Sequence, residues 1–300
     1  MNDDQFSARF PARASSWKLR THTLTFDRAP QLMAIINVTP DSFSDGGSYF
    51  DPMQAVERAI RCVAEGAAIL DVGGESTRPY SEPVDTSEEL RRVIPVIAKL
   101  SELTDVPISI DTSKAVVARE AIAAGAEIIN DVTGLTGDPQ MMKTALRSEA
   151  GICAMHMQGT PQTMQDDPQY DDVVEDIFAY LTARRDELIA AGIEAERICL
   201  DPGVGFGKTH QHNLQLMAGC GRYHELERPL LVGHSRKGFI GKLLENADAP
   251  RTFGTVGGTL ALARQGVQII RVHEVRENLE ALRLFVACGG ADGVPGEIPA

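Results

Sequence analysis

Leu230-Leu-Val-Gly-His-Ser-Arg-Lys-Gly-Phe-Ile-Gly241 contains in miniature the unit from which most of the chain is built. After Pro229 a short apolar run reads as a buried strand. Gly233 ends it, and Ser235 is placed to cap a helix in which Ile240, Leu243 and Leu244 recur at helical spacing. Ser235 and Lys237 then sit where a strand ends and a helix begins, and there free backbone N–H groups and the helix dipole favour anions. Ser-Arg-Lys can be no more than a capped, solvated first turn. Two cations at a helix N-terminus are mildly unfavourable, however, which points to an anionic or electron-rich ligand.

The same unit recurs from Leu32 onward. Residues 33–36 form a strand ending at Asn37. A Gly/Asp/Ser loop follows, and Asp51-Pro52 opens a helix striped by Met53, Val56, Ile60 and Val63. Residues 67–70 end at Asp71, and Thr86-Ser-Glu-Glu89 is a capping box for a helix carrying Leu90, Val93, Ile94, Ile97 and Leu100. Residues 107–110 end at Asp111, and Ser113 caps a helix closed by Gly125. Residues 127–129 end at Asn130 and 151–155 at His156, before a long helix with Val174, Ile177, Leu181 and Leu188 that stops at Gly192. Residues 197–200 end at Asp201, and 267–272 end at His273 before a helix with Leu279, Leu282 and Phe285.

Eight strand–helix units in strict alternation, spanning Leu32 to Cys288, match a (β/α)8 TIM barrel, typically about 250 residues long. The expected organisation is a single α/β domain over 31–288, an N-terminal extension over 1–30 with a short hairpin across residues 17–26, and a C-terminal tail over 289–300. A doubly wound open sheet is the alternative, since strand order cannot be read from one sequence. No G-x-G-x-x-G follows the first strand and no P-loop signature occurs, which lowers a nucleotide-binding reading.

The net charge of −13 and pI near 5.0 argue against nucleic acid or an anionic membrane as partner. An anionic substrate would need a local positive pocket working against that field. Five scattered cysteines without C-x-x-C spacing fit buried thiols in a reducing compartment. No apolar run reaches membrane length, and no signal-peptide core is legible, so a cytoplasmic location is expected.

In a barrel the strand C-termini converge on one mouth. That face receives Asn37, Asp71, Asp111, Asn130, His156, Asp201, Ser235, Arg271 and His273. Arg271 and His273 are two apart on one strand and point the same way, a cationic pair suited to a phosphate. Asn37, with Asp41, Ser42 and Ser44 close by in sequence, could supply one oxygen to Mg²⁺ alongside waters and substrate phosphates. Asp111, Asn130 and Asp201, from three strands, could act in acid/base work, cage a metal or read the edge of a heterocycle, with Lys237 donating to a ring carbonyl. The residues alone leave these open. The Gly/Ser/Pro-rich loops over 37–47, 75–84 and 201–208 could fold over a substrate and exclude water.

Asn37-Val-Thr-Pro-Asp-Ser-Phe-Ser-Asp-Gly-Gly47, Asp71-Val-Gly-Gly-Glu-Ser-Thr-Arg-Pro79, Ser109-Ile-Asp-Thr-Ser-Lys114, Ile129-Asn-Asp131, Met155-His-Met-Gln-Gly159, Asp201-Pro-Gly-Val-Gly-Phe-Gly-Lys208, Gly233-His-Ser-Arg-Lys237 and Arg271-Val-His273 resemble dihydropteroate synthase, in family order and over about residues 32–285. The resemblance implies a (β/α)8 transferase of folate synthesis and a sulfonamide target. It would join 6-hydroxymethyl-7,8-dihydropterin diphosphate to 4-aminobenzoate. It implies that Asp111, Asn130, Asp201 and Lys237 hold the pterin, with Val132 and Met155 lining its pocket. Asn37 would bind Mg²⁺ and, with Arg78, Arg271 and His273, the diphosphate. Thr77, Arg78, Pro79, Phe206, Ser235 and Lys237 would form the 4-aminobenzoate site. Lys237, Arg271 and Asp111 are the expected catalytic residues, and a homodimer is expected by analogy. One departure is Tyr80, where the family pattern leads one to expect Gly; its side chain would restrict positive φ and could alter the loop. Competing functions are a pterin-binding methyltransferase domain and a non-catalytic pterin-binding paralogue.

Overall fold

The structure, a computed structural model, describes residues 3–39, 52–245, 250–291 and 293, with the side chains of 3–5 excluded. The chain opens with helix α1 (Asp3–Arg9) and a hairpin of β1 (Ser16–Lys18) and β2 (Thr23–Thr25). Eight parallel strands follow: β3 (Gln31–Asn37), β4 (Ile69–Gly73), β5 (Ile108–Asp111), β6 (Ile128–Asp131), β7 (Gly151–Met155), β8 (Ile198–Asp201), β9 (Leu231–Gly233) and β10 (Ile269–Val272). They pair in the order β8-β7-β6-β5-β4-β3-β10-β9, and a parallel bridge between Leu200 and Leu230 joins the two ends. The sheet is therefore closed, which decides for the (β/α)8 barrel over the open doubly wound sheet.

Helices α2 (Pro52–Ala64), α3 (Thr86–Leu103), α4 (Ala115–Ala123), α5 (Met141–Ser148), α6 (Val173–Ala190), α7 (His210–Gly219), α8 (Gly238–Leu243), α9 (Thr252–Arg264) and α10 (Val275–Ala287) surround it. Strand pleating separates two cores. Outward residues such as Leu70, Ile110, Ile129, Leu200, Val232 and Ile270 pack against the helices. Inward residues Met33, Ile69, Ile128, Cys153, Cys199, Leu231 and Ile269 form a second cluster with Trp17, Leu19 and Phe26 of the hairpin. The hairpin thus plugs the N-terminal end of the barrel. Trp17 is fully buried, and its indole N–H donates to the Arg197 carbonyl at 2.8 Å. Gly151 leaves room for it: a Cβ there would lie 2.6 Å from Leu19 Cδ2.

Several helix starts differ from the sequence expectation. The cap of α3 is Asp85, whose carboxylate accepts from Glu88 N at 3.0 Å, one residue before the expected capping box. Ser113 does not cap α4; the Asp138 carboxylate, from a distant loop, accepts from Ala115 N at 2.9 Å. Ser235 does not cap α8, which begins at Gly238. On α2 the buried face is Ala55, Val56, Ala59 and Cys62, while Met53 is exposed. Small residues hide a face from a search for large apolar ones. Asp51 and the loop carrying Asp41, Ser42 and Ser44 lie outside the described residues.

Candidate active site

Register brings the chemistry together. Asn37 pairs with Gly73, Gly73 with Asp111, Asp111 with Asn130, and Met155 with Asp201, so these positions share the inner wall toward the strand C-termini. Asp71 does not end its strand, as the sequence suggested. It lies two residues inside β4 and is fully buried within the barrel. Arg271 crosses to it. The guanidinium Nε donates to Asp71 Oδ2 at 2.5 Å and Nη2 donates to Asp111 Oδ2 at 2.7 Å. Asn130 Nδ2 donates to the same Asp71 oxygen at 3.2 Å. Asp71 thus orients both an arginine and an amide at the mouth, a role that sequence reasoning left unassigned.

Asp201 is buried, and its Oδ1 accepts from Gly203 N at 2.7 Å. Burial pushes its carboxyl up to about 6 against the pull of that bond and of Lys237 and Lys208. Burial likewise raises Asp111 to about 7 despite the adjacent Arg271. It lowers Lys237 to about 7, with Asp201 opposing. Lys237 Nζ lies 4.3 Å from the centroid of the Phe206 ring and donates to the Val204 carbonyl. Val132 and Met155 are buried, and Thr77 and Phe206 half-buried. A wall of acceptors, one amide, one lysine and two apolar side chains can grip a flat, polar-edged ring.

The rim above is cationic although the chain is acidic. Burial drives His273 down to about 3, and Arg236, Arg271, Arg78 and Arg58 push in the same direction. Its imidazole Nδ1 is 2.9 Å from Ser235 Oγ, which also accepts from His273 N at 3.2 Å. Ser235 therefore fixes the histidine rather than a helix. Asn37 is half-buried at the end of β3. Among the described residues, no group of three or more His, Cys, Asp and Glu is arranged to hold a metal ion.

The loop after β4 is braced from below. Glu89 is fully buried and accepts from Thr112 Oγ1 at 2.7 Å and from Lys114 Nζ at 2.5 Å. Lys114 also donates to Glu75, whose other oxygen accepts from Val84 N at 3.1 Å. No signal for this network was read from the sequence. Arg78, Pro79 and Tyr80 are exposed. Tyr80 adopts φ 61, the conformation a glycine would take freely, so the substitution keeps the loop's shape at a cost in strain. Its hydroxyl donates to Asp166 Oδ1 at 3.1 Å and its N–H to the Pro161 carbonyl at 3.0 Å, tying this loop to the one after β7.

Residues 33–273 match the family of pterin binding enzymes. The chain is 46% identical over 258 residues to the dihydropteroate synthase of Escherichia coli (strain K12), covering 86% of this chain and 91% of that protein. The chain belongs to the dihydropteroate synthase family. Two solved members share its fold. The Yersinia pestis enzyme, in complex with a sulfonamide drug, superposes with a TM-score of 0.84 at 45% identity, covering 91% of this chain and 98% of that one. The Xanthomonas albilineans enzyme, in complex with 7,8-dihydropteroate, does so with 0.82 at 40% identity over the same shares. As a member of the dihydropteroate synthase family the chain is a transferase.

Proposed function

We propose that this site condenses 6-hydroxymethyl-7,8-dihydropterin diphosphate with 4-aminobenzoate, releasing diphosphate and 7,8-dihydropteroate. The observation that carries the proposal is the convergence of Asp111, Asn130 and Asp201 from three strands on one inner wall beside Lys237. The carboxylates accept from the amino-pyrimidinone edge, Asn130 both donates and accepts, and Lys237 donates to the ring carbonyl, while Val132 and Met155 flank the ring. Arg78, Arg271 and His273 take the diphosphate. Thr77, Arg78, Pro79, Phe206, Ser235 and Lys237 take 4-aminobenzoate, where a sulfonamide would compete.

Mg²⁺ fits the donor set: Asn37 would offer one amide oxygen, and substrate phosphates and water would complete the shell. When bound it would neutralise charge on the diphosphate. An aromatic amine is a weak nucleophile, whereas a pterin delocalises positive charge at its exocyclic methylene, so the path is SN1-like, with diphosphate leaving first. Lys237, Arg271 and Asp111 stabilise charge and position the reactants, and no strong general base is needed. Leu243, Phe253 and Leu284, exposed on α8, α9 and α10, would meet a second copy in a homodimer. A cytoplasmic setting suits the unpaired cysteines.

Diphosphate release is measured with Mg²⁺, with and without 4-aminobenzoate. Release coupled to dihydropteroate and lost in Lys237→Ala and Asp201→Ala is expected; tight pterin binding without turnover would overturn the reading. Scrambling of the bridging oxygen before the amine adds is expected of the SN1-like path, and its absence in a positional isotope exchange experiment counts against that path.

A further inference from the structure

Lys208 and His156 are a buried polar pair behind the mouth that no step above uses. Lys208 is 2% exposed, yet among the described residues it forms no ion pair. Its Nζ donates to the Phe206 carbonyl at 2.8 Å and to His156 Nδ1 at 3.0 Å. Burying an ammonium-bearing side chain is costly, and an apolar chain of equal length would serve packing better. What the lysine uniquely supplies is a pair of donated bonds to groups from two different strand ends.

The loop it anchors is shaped around that point. Gly203, Gly205 and Gly207 all have positive φ. A Cβ on Gly203 would lie 1.9 Å from the His156 carbonyl oxygen, one on Gly207 2.4 Å from that of Gln158, and one on Gly205 2.5 Å from Lys237 Cδ. The segment therefore lies directly on the residues following β7 and on Lys237, and it carries the half-buried Phe206 ring. His156 is a firm anchor. Its backbone N–H donates to the Asp201 carbonyl at 3.0 Å and its ring packs edge-on against Tyr180 at 4.7 Å. Burial, reinforced by Lys208, presses the imidazole down to about 3, so it stays neutral and Nδ1 remains an acceptor. Tyr170 closes the far side, its hydroxyl donating to the Gly207 carbonyl at 2.7 Å.

We propose that Lys208 is a positioning residue for 4-aminobenzoate: by tying the Phe206 carbonyl to His156 it fixes the Phe206 ring, and through that ring the Lys237 ammonium, before the arylamine arrives. The inference rests on the placement of 4-aminobenzoate against Phe206 and Lys237. Lys208 does not touch the reacting atoms, so its loss acts on one substrate more than the other.

The test is the steady-state kinetics of Lys208→Met, which keeps the chain length but cannot donate, with Lys208→Arg as the conservative variant. Lys208→Met should raise KM for 4-aminobenzoate about tenfold, the scale of one lost hydrogen bond. KM for the pterin diphosphate should stay within about twofold, and the thermal midpoint at or above that of the parent. Lys208→Arg should recover most of the loss. An unchanged KM for 4-aminobenzoate, or a parallel rise in both KM values with a lowered midpoint, overturns the proposal. Should Lys208→Met not fold, His156→Phe removes the ring acceptor while leaving the lysine, and the same split in KM is required of it. If the parent protein makes no dihydropteroate, the functional assignment fails; if it does and the split is missing, only the positioning role fails.

Discussion

The two ends of the barrel are built from the same eight strands and do opposite things. At the bottom, alternate inward positions are apolar and close over Trp17 and Leu19, with the one indole N–H satisfied. At the mouth, the next inward positions carry Asp71, Asp111, Asn130, Asp201 and Arg271, held by a few bonds and by burial that works against the charge on the acids. A residue the size of Trp buries about 150–250 Å², or roughly 4–6 kcal/mol at 25 cal/mol per Å². Buried ionisable groups cost stability unless fully paired. The comparison teaches that the plug offsets the strain of the site, and that stability and chemistry can be perturbed separately.

The largest expected effect is on the plug. Trp17→Ala should lower stability by about 3–5 kcal/mol in denaturant titration, while the fraction that remains folded keeps its turnover. A large loss of kcat/KM in that folded fraction would break the separation. The mirror experiment is Asp201→Asn, which should cut turnover by about a hundredfold or more and leave the denaturation midpoint unchanged or raised, because a desolvated acid is removed. Gly151→Ala should cost about 1–3 kcal/mol by overpacking against Leu19, again without altering KM for either substrate.

The pH dependence sharpens the same contrast. In the unfolded chain Asp201 loses its proton near pH 4, in the folded protein near pH 6, so the folded state holds more protons between those values and stability falls as pH rises through that window. Lys237 titrates near pH 7 when folded and above 10 when unfolded, so stability rises with pH from about 7 to 10. Urea melts across pH 4–10 should show this dip, shallower on the acid side in Asp201→Asn and on the basic side in Lys237→Met. The smallest effect is reserved for Tyr80→Phe, which removes only the exposed bond to Asp166. Its KM for 4-aminobenzoate should move by less than about threefold, and a larger shift would mean that the tie between the two loops shapes the site.

Much of the fold was legible because it is local. Each strand–loop–helix unit announces itself by apolar runs, turn residues and caps, and the order of the units follows the chain. The caps of α3, α4 and α8 show where locality fails. Asp85 competes with Thr86 one position away, Asp138 reaches in from another loop, and Ser235 turns to His273 instead. A capping residue in sequence is only a candidate, because any acceptor brought near by the fold can satisfy the same N–H. Tyr80 shows the converse: the backbone holds φ 61 without the glycine that would favour it, since hydrogen bonds from the neighbouring loop fix the turn.

The eight repeated units, the polar residues near the strand ends and, by resemblance, the family and the roles expected of its motifs are all legible in the chain alone. Which of them meet is a matter of the folded barrel. Arg271 lies 200 residues from Asp71 and 160 from Asp111, and their contact depends on sheet closure and register that no local pattern encodes. The same holds for the hairpin inside the barrel floor and for Lys208 against His156. Periodicity tells which way a side chain points; what it points at is set by the closed geometry of all eight strands.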